Sequence, residues 1–284
     1  MTVLLWGRAD DGVVEAVTEA CRSLRVDTLV ADGEGIVSVG EGDLVTRGGQ
    51  QRRLADISGV LVRPEAPLIS RESTLAFQAL DAWSEVTNAR VLNRPSAAAS
   101  NRSKPLQLRL IAESGFAVPD TIATTDPDEV RAFWALHGRV VYKSISGIRS
   151  VVAQLTSDHL ERLDEVSSCP TQFQQLVAGT DHRVHVVGDD VYACRIHSAA
   201  VDYRYAAWSG HVTALAPVRL GDDAAERCVQ LTRSLGLDFA GIDLRLDDDG
   251  TWWCFEVNTA PGFIWFEEQT GLPISAAVAR ALSG

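Results

Sequence analysis

The sequence predicts an α/β unit followed by α+β lobes built on antiparallel sheets. Three observations lead there. Strand and helix signals alternate over the first 93 or so residues. Strand signals then dominate from Arg139 onward. The chain closes on a hairpin and one more helix. Its 284 residues, at about 150 residues per domain, suit two domains or three small ones.

Val3 to Trp6 reads as a short buried strand. Val13, Val17, Cys21 and Leu24 recur at helical spacing behind Asp10 or Asp11 as N-cap. Thr28 to Val30, Ile36 to Val39, Leu44 to Thr46 and Val60 to Arg63 read as strands. A helix from about Glu72 to Val86 leads to Val91 and Leu92, and the α/β unit closes near Asn93. Ser100 to Ser114 reads as a helix stopped by Gly115, and Arg131 to His137 as another. Strands follow at Arg139 to Lys143, Ser150 to Leu155, Gln172 to Val177, Arg183 to Val187, Val191 to Ile196 and Val212 to Ala216. A helix at Ala224 to Leu235 precedes the hairpin of Ala240 to Leu246 and Trp252 to Val257, and Ile274 to Leu282 reads as the last helix. The expected division is 1–93, 94–173 and 174–284.

Composition excludes several classes. Hydrophobic residues are 46% and charged residues 23% of the chain, the balance of an ordinary globular enzyme. No apolar run of 18 residues exists to span a membrane. Met1 to Trp6 is too short for a signal-peptide core. Lys plus Arg number 26 against 38 Asp plus Glu, a net charge of −12, so a nucleic-acid backbone is not expected as partner. Cys21, Cys169, Cys194, Cys228 and Cys254 form no CxxC pair. They read as reduced thiols of a cytoplasmic protein.

The last hairpin carries the most chemistry. A two-residue loop at Asp249-Gly250, or a four-residue loop from Asp248 to Thr251, gives one register. It sets Asp243 opposite Glu256 and Gly241 opposite Asn258. Ile242, Leu244, Leu246, Trp253, Phe255 and Val257 are then expected on one face, and Asp243, Glu256 and Asn258 on the other. Cross-strand neighbours lie about 4.5–5.5 Å apart, where like charges repel. Two carboxylates and an amide oxygen on one face suit Mg²⁺. A solvated polar face would show the same pattern.

Lys104 lies near a helix start. Lys143 ends the apolar strand Val140-Val141-Tyr142 and precedes a small-residue loop from Ser144 to Ser150 that includes Ser146 and Gly147. A strand, a lysine and such a loop suit oxyanions, although the Walker A spacing is absent. A surface lysine before a turn is the plainer alternative. In the alternating segment after Gly179, Asp181, Arg183 and His185 share a face. Arg183 and Arg204 are candidate cations for developing phosphoryl charge, or members of structural ion pairs. His185 reads as a structural residue.

Together these pieces resemble the ATP-grasp superfamily over about residues 90 to 270. Asn93-Arg94-Pro95, Lys104 and Gly115 to Thr121 look like its linker and entry helix. Val141-Tyr142-Lys143 looks like its first phosphate strand, Gln174 to Val177 like its adenine hinge, and Asp181-His182-Arg183 like the D-x-R that follows. Gly241-Ile242-Asp243 and Phe255-Glu256-Val257-Asn258, with Pro261-Gly262, look like its magnesium signature. Gln175 stands where an acidic hinge residue is common. Asn258-Thr259-Ala260-Pro261 replaces the usual Asn-Pro-Ser-Pro. The nearest branch holds ribosomal-protein glutamate ligases and microviridin-type (graspetide) peptide maturases, and Gly115 to Thr121, Asp202-Tyr203-Arg204-Tyr205 and the segment from Cys254 to Ile274 most resemble the maturases.

The resemblance implies an ATP-grasp fold, an N-terminal α/β domain followed by two α+β lobes that clasp ATP. It implies Lys104, Lys143, Ser146 and Gly147 at the phosphates, and Gln174, Gln175, Leu176 and Val177 around adenine. Asp181 would reach the ribose, and Asp243, Glu256 and Asn258 one or two Mg²⁺. Arg183 and Arg204 would face the γ-phosphate and the acceptor carboxylate. The implied reaction activates a carboxylate as an acyl phosphate, releases ADP and joins the acyl group to an amine or hydroxyl. A peptide substrate is the leading expectation, and a free amino acid or dipeptide in metabolite synthesis the alternative. A silent nucleotide-binding partner is a further class, against which the complete carboxylate set and both lysines argue. The oligomeric state stays open, a homo-oligomer included.

Overall fold

The computed structural model describes residues 1–31, 36–40, 42–46, 51–63, 71–145 and 151–284. The first sheet is parallel, in the order β2-β1-β6-β7. It comprises β1 (Thr2–Trp6), β2 (Asp27–Ala31), β6 (Ile57–Val62) and β7 (Arg90–Leu92). Between β2 and β6 lies a small antiparallel sheet of β3 (Ile36–Gly40), β4 (Asp43–Thr46) and β5 (Gln51–Arg53). Helix α1 (Gly12–Ser23) is capped by Asp11, whose carboxylate accepts from the amides of Val13 and Val14. Its buried stripe is Val13, Val14, Val17 and Cys21, while Leu24, expected on that stripe, is 44% exposed. Helix α2 spans Arg71–Val86.

Next come α3 (Lys104–Glu113), β8 (Thr121–Thr124), α4 (Pro127–His137), β9 (Val140–Ser144), β10 (Ala153–Gln154), α5 (Ser157–Leu160) and β11 (Thr171–Gln175). The strands form an antiparallel sheet, β10-β9-β11-β8. The expected long helix from Ser100 is two pieces, a 3-10 stretch over Pro95–Arg102 and then α3, which begins at Lys104 with Pro105 in its first turn.

The third sheet is antiparallel, β14-β13-β12-β15-β16. Its strands are β12 (Thr180–Val187), β13 (Asp190–Ser198), β14 (Thr213–Val218), β15 (Phe239–Leu246) and β16 (Trp252–Asn258). Helix α6 (Asp222–Ser234) buries Cys228 and Leu231 against this sheet. Helices α7 (Ile264–Thr270) and α8 (Ile274–Ser283) end the chain. The sequence reading missed β5, β8, α5 and α7, each of seven residues or fewer and too short to display a period.

Two contacts fasten the first sheet to the third. Val278 and Leu282 of α8 join Val3, Leu5 and Leu61 in one core. Gly59 makes this close approach possible, because a Cβ there would lie 2.2 Å from the Leu282 carbonyl oxygen. Buried Asn93 donates to the carbonyls of Phe239 and Thr259 and accepts from the amides of Asp238 and Phe239. Among the described residues no helix is long and apolar enough to cross a membrane.

Candidate active site

The hairpin of β15 and β16 sets Asp243 opposite Glu256 and Gly241 opposite Asn258. The turn is longer than expected. Leu246 pairs with Trp252, so five residues cross it, and a β-bulge between Asp243 and Leu244 restores the register at the carboxylates. The bulge corrects the expected facing of the aromatics. Cys254, not Phe255, enters the core with Ile242, Leu244 and Val257. Phe255 instead lines a cavity beside Asp243 and Glu256, with the Arg245 guanidinium 5.2 Å from its ring centroid. Trp253 pairs with Arg245 and donates its indole N–H to Asp247 at 2.7 Å.

Each carboxylate has its own cation. Arg183 Nη1 donates to Asp243 Oδ1 at 2.7 Å, and Lys104 Nζ to Glu256 Oε1. Burial pushes the Glu256 carboxyl up, but the charge and hydrogen bond of Lys104 outweigh it and hold the group below its ordinary value. Repulsion between facing carboxylates is thus screened by two built-in counter-charges. Asn258 donates to Asp243 Oδ2 at 3.4 Å. Among the described residues no group of three or more His, Cys, Asp or Glu side chains is placed to hold a metal ion. The two carboxylates and the Asn258 amide form an all-oxygen donor set that fits Mg²⁺.

Lys143 stands on β9 near Glu256, Lys104 and Arg204. Burial, with the two like charges, depresses its ammonium pKa, and Glu256 opposes the shift. Arg204 is held by Asp202 through Nε at 2.8 Å and Nη2 at 2.6 Å. Behind Arg183, His185 is buried and receives the Arg183 Nε–H at 3.4 Å. Burial and the arginine charge hold its pKa well below the ordinary value.

Two cavities meet at these residues. One, of about 410 Å³, is lined by Gln174, Gln175, Leu176, Val177, Asp181 and Phe255. The other, of about 750 Å³, is lined by Lys104, Arg183, Asn258, Pro261 and Trp265. Lys143, Tyr203, Arg204, Asp243 and Glu256 border both. Both volumes fall in the range of small-molecule sites. Gln174 donates to Thr121 Oγ1 at 3.0 Å. Asp181 is gripped by Arg245 at 2.7 and 2.9 Å, and Arg245 also donates to the Val177 carbonyl at 2.6 Å. Ser146 and Gly147 lie outside the described residues.

Several residues at this junction escaped the sequence reading. Tyr203 and Trp265 stack at 6.4 Å on the wall of the larger cavity. Arg63 reaches from the first sheet to the carbonyls of Ala260 and Pro261, at 2.9 and 3.1 Å. Gln107 hydrogen-bonds the Val257 backbone, between two candidate ligands. Tyr203, in the Asp202 to Tyr205 phrase, and Trp265, in the segment from Cys254 to Ile274, lie in stretches that carry the resemblance, whereas Arg63 and Gln107 carried no signal.

Known proteins share this architecture. The ATP-grasp ligase PsnB, solved with a phosphomimetic variant of its minimal precursor, Mg and ADP, is 28% identical, with a TM-score of 0.82 over 99% of this chain and 97% of that one. The macrocyclase MdnC of Microcystis aeruginosa MRC, bound with precursor peptide MdnA, gives a TM-score of 0.84 over the whole of both chains. At 21% identity it speaks for the fold alone. Beta-citrylglutamate synthase B of Danio rerio is 27% identical over 281 residues, 94% of this chain and 68% of that protein. Residues 99–282 match the RimK-like ATP-grasp domain. With that match over well more than half its length, and with the fold of ATP-grasp ligases, the chain belongs to the RimK-like ATP-grasp family.

Proposed function

We propose that this ATP-grasp ligase modifies a peptide, joining a carboxylate to an amine or hydroxyl with cleavage of ATP to ADP, in the maturation of a peptide natural product. The observation that carries the reading is the shared border of the two cavities. A nucleotide seated along Gln174 to Val177 would place its phosphates at Lys143, Arg204, Asp243 and Glu256, and the larger cavity beyond would receive the acceptor. The similarity to PsnB, solved with its precursor, supports a peptide.

The roles follow from chemistry. Lys104 and Lys143 hold the phosphates as point charges. Gln174, Gln175, Leu176 and Val177 line adenine, and Asp181, oriented by Arg245, accepts from the ribose. Asp243, Glu256 and Asn258 would hold one or two Mg²⁺, which lower the charge on the phosphates. The substrate carboxylate attacks the γ-phosphorus, ADP leaves, and Arg183 and Arg204 stabilise the oxyanions. The amine or hydroxyl then displaces phosphate from the acyl carbon and loses its proton. Closing the two lobes over the cavities excludes the water that would hydrolyse the acyl phosphate. We assign the lobes to 94–173 and 174–284, after an N-terminal domain over 1–93, and place the protein in the cytoplasm.

A second reading, ligation of a free amino acid, is favoured by the likeness to the citrylglutamate synthase. One experiment separates the two. The protein is incubated with ATP and Mg²⁺, and with either short peptides encoded beside its gene or free amino acids, and the products are followed by chromatography and mass. Peptide that loses one water per bond as ADP appears supports the proposal. AMP and pyrophosphate overturn the acyl-phosphate route.

A further inference from the structure

Among the described residues strand β16 is the edge of its sheet, and no strand pairs with one side of its backbone. Its first half is closed by the chain near Ala117, which donates to the Trp252 carbonyl at 3.1 Å and accepts from the Cys254 amide at 2.9 Å. Farther along, the role passes to a side chain. Gln107 is 1% exposed. Its Oε1 accepts from the Val257 amide at 3.1 Å, and its Nε2 donates to the Val257 carbonyl at 2.9 Å. A side-chain amide carries a donor and an acceptor side by side, as a peptide unit does, and so completes the edge like one residue of a missing strand.

The gripped residue matters. Val257 points into the core and is fully buried, while Glu256 and Asn258 on either side face the cavity. A slip of one residue would exchange the core face for the cavity face. The bulge between Asp243 and Leu244 is a weak point for such a slip, because the pairing already shifts there. Gln107 lies one turn beyond Lys104 on α3, so one helix holds β16 at two consecutive residues, Glu256 by its side chain and Val257 by its backbone.

We propose that Gln107 is a positioning residue for the divalent cation, fixing β16 so that Glu256 and Asn258 present their oxygens together. The inference rests on the reading of Asp243, Glu256 and Asn258 as the Mg²⁺ site. Its test is calorimetric, on the full chain. ADP affinity is measured without metal, and apparent Mg²⁺ affinity at saturating ADP, for the wild type, Gln107→Glu, Gln107→Leu and Glu256→Gln. Gln107→Glu turns a donor into an acceptor against the Val257 carbonyl, and Gln107→Leu removes both bonds. Both are expected to weaken Mg²⁺ about 10-fold or more and to leave metal-free ADP affinity within about 2-fold of wild type. Wild-type Mg²⁺ affinity in both, with Glu256→Gln impaired, overturns the positioning role alone. Equal losses of metal-free and metal-dependent binding reduce Gln107 to a structural residue and also overturn it. Wild-type Mg²⁺ affinity in Glu256→Gln overturns the metal site itself. If neither variant folds, hydrogen exchange of the wild-type Val257 amide decides. Slow exchange supports the grip, and exchange at the rate of an exposed amide overturns it.

Discussion

The Arg183 guanidinium meets Asp243 across adjacent strands at 2.7 Å, and the absence of a side chain at Gly241 makes room for it. A Cβ at Gly241 would lie 2.3 Å from Arg183 Nη2 and 2.6 Å from the Pro261 Cβ. Arg183 is 5% exposed, so any move to make room strains its packing and its bond to Asp243. Gly241→Ala should therefore destabilise the protein by about 1–3 kcal/mol through overpacking and displace the arginine from the cavity. Denaturant unfolding checks the first effect and nucleotide affinity the second. An unchanged midpoint would show that the guanidinium has another place to go.

Removing either carboxylate should cost stability in the metal-free protein, because each neutralises a cation. Asp243→Asn leaves the buried Arg183 without its counter-charge and should cost about 1–3 kcal/mol. Glu256→Gln should cost less, since Lys104 is more exposed than Arg183. Turnover with Mg²⁺ should fall on the order of 10²–10³ in both. Melting without metal, set beside turnover with it, separates the two effects. A rise in melting temperature would mean that repulsion between the carboxylates dominates after all.

Stability should fall as pH drops below neutral, ahead of ordinary carboxylate titration. Burial lowers the pKa of His182 from 6.5, and burial with the Arg183 charge lowers that of His185 well below 6.5. Below about pH 6.5 the unfolded chain therefore binds protons that the folded one refuses. Stability then declines by up to about 1.4 kcal/mol per pH unit per histidine until each folded-state pKa is reached. Unfolding midpoints at pH 7.5, 6.5 and 5.5 measure the slope, and His182→Gln should flatten it. Equal slopes in variant and wild type would remove His182 from the account.

Lys143→Ala should weaken ADP binding about 10- to 100-fold, the worth of a charge-assisted bond to phosphate. Lys143→Arg should recover only part of this, since a planar fork does not replace a compact ammonium. Fluorescence titration with ADP tests both. Wild-type affinity in Lys143→Ala would leave the phosphates to Lys104 and the arginines.

Much of the site could be read from spacing, because it lies on a hairpin whose strands are joined by a short turn. Asp243 opposite Glu256 followed from the expected two- or four-residue loop and a period of two, and it holds because the bulge makes up for the five-residue turn. The facing of Trp253 and Phe255 could not be read, since no residue between Asp247 and Val257 marks the extra position of a bulge. Gln107 was hidden for a different reason. A glutamine on an amphipathic helix does not announce a target on a strand 150 residues away. The ion pair of Asp181 with Arg245 likewise depends on which strand lies beside which. Helix α1 was legible from its apolar stripe and Asp11. The break at Lys104 was not, because Ser100 to Ser103 suits a continuous helix as well as a 3-10 start.

The bulge has a consequence for how this hairpin can vary. A five-residue turn with one bulged position and a four-residue turn with none both set Asp243 against Glu256. Turn length and ligand spacing are therefore separable, and Phe255 is the slack between them. Deleting one residue from 248–250 should let the strands zip straight, turn Phe255 toward the core and Cys254 away from it, and leave the carboxylates opposed. The loop can lengthen or shorten by a residue at the cost of the aromatic wall of the smaller cavity, while the spacing of the acidic pair is inherited unchanged.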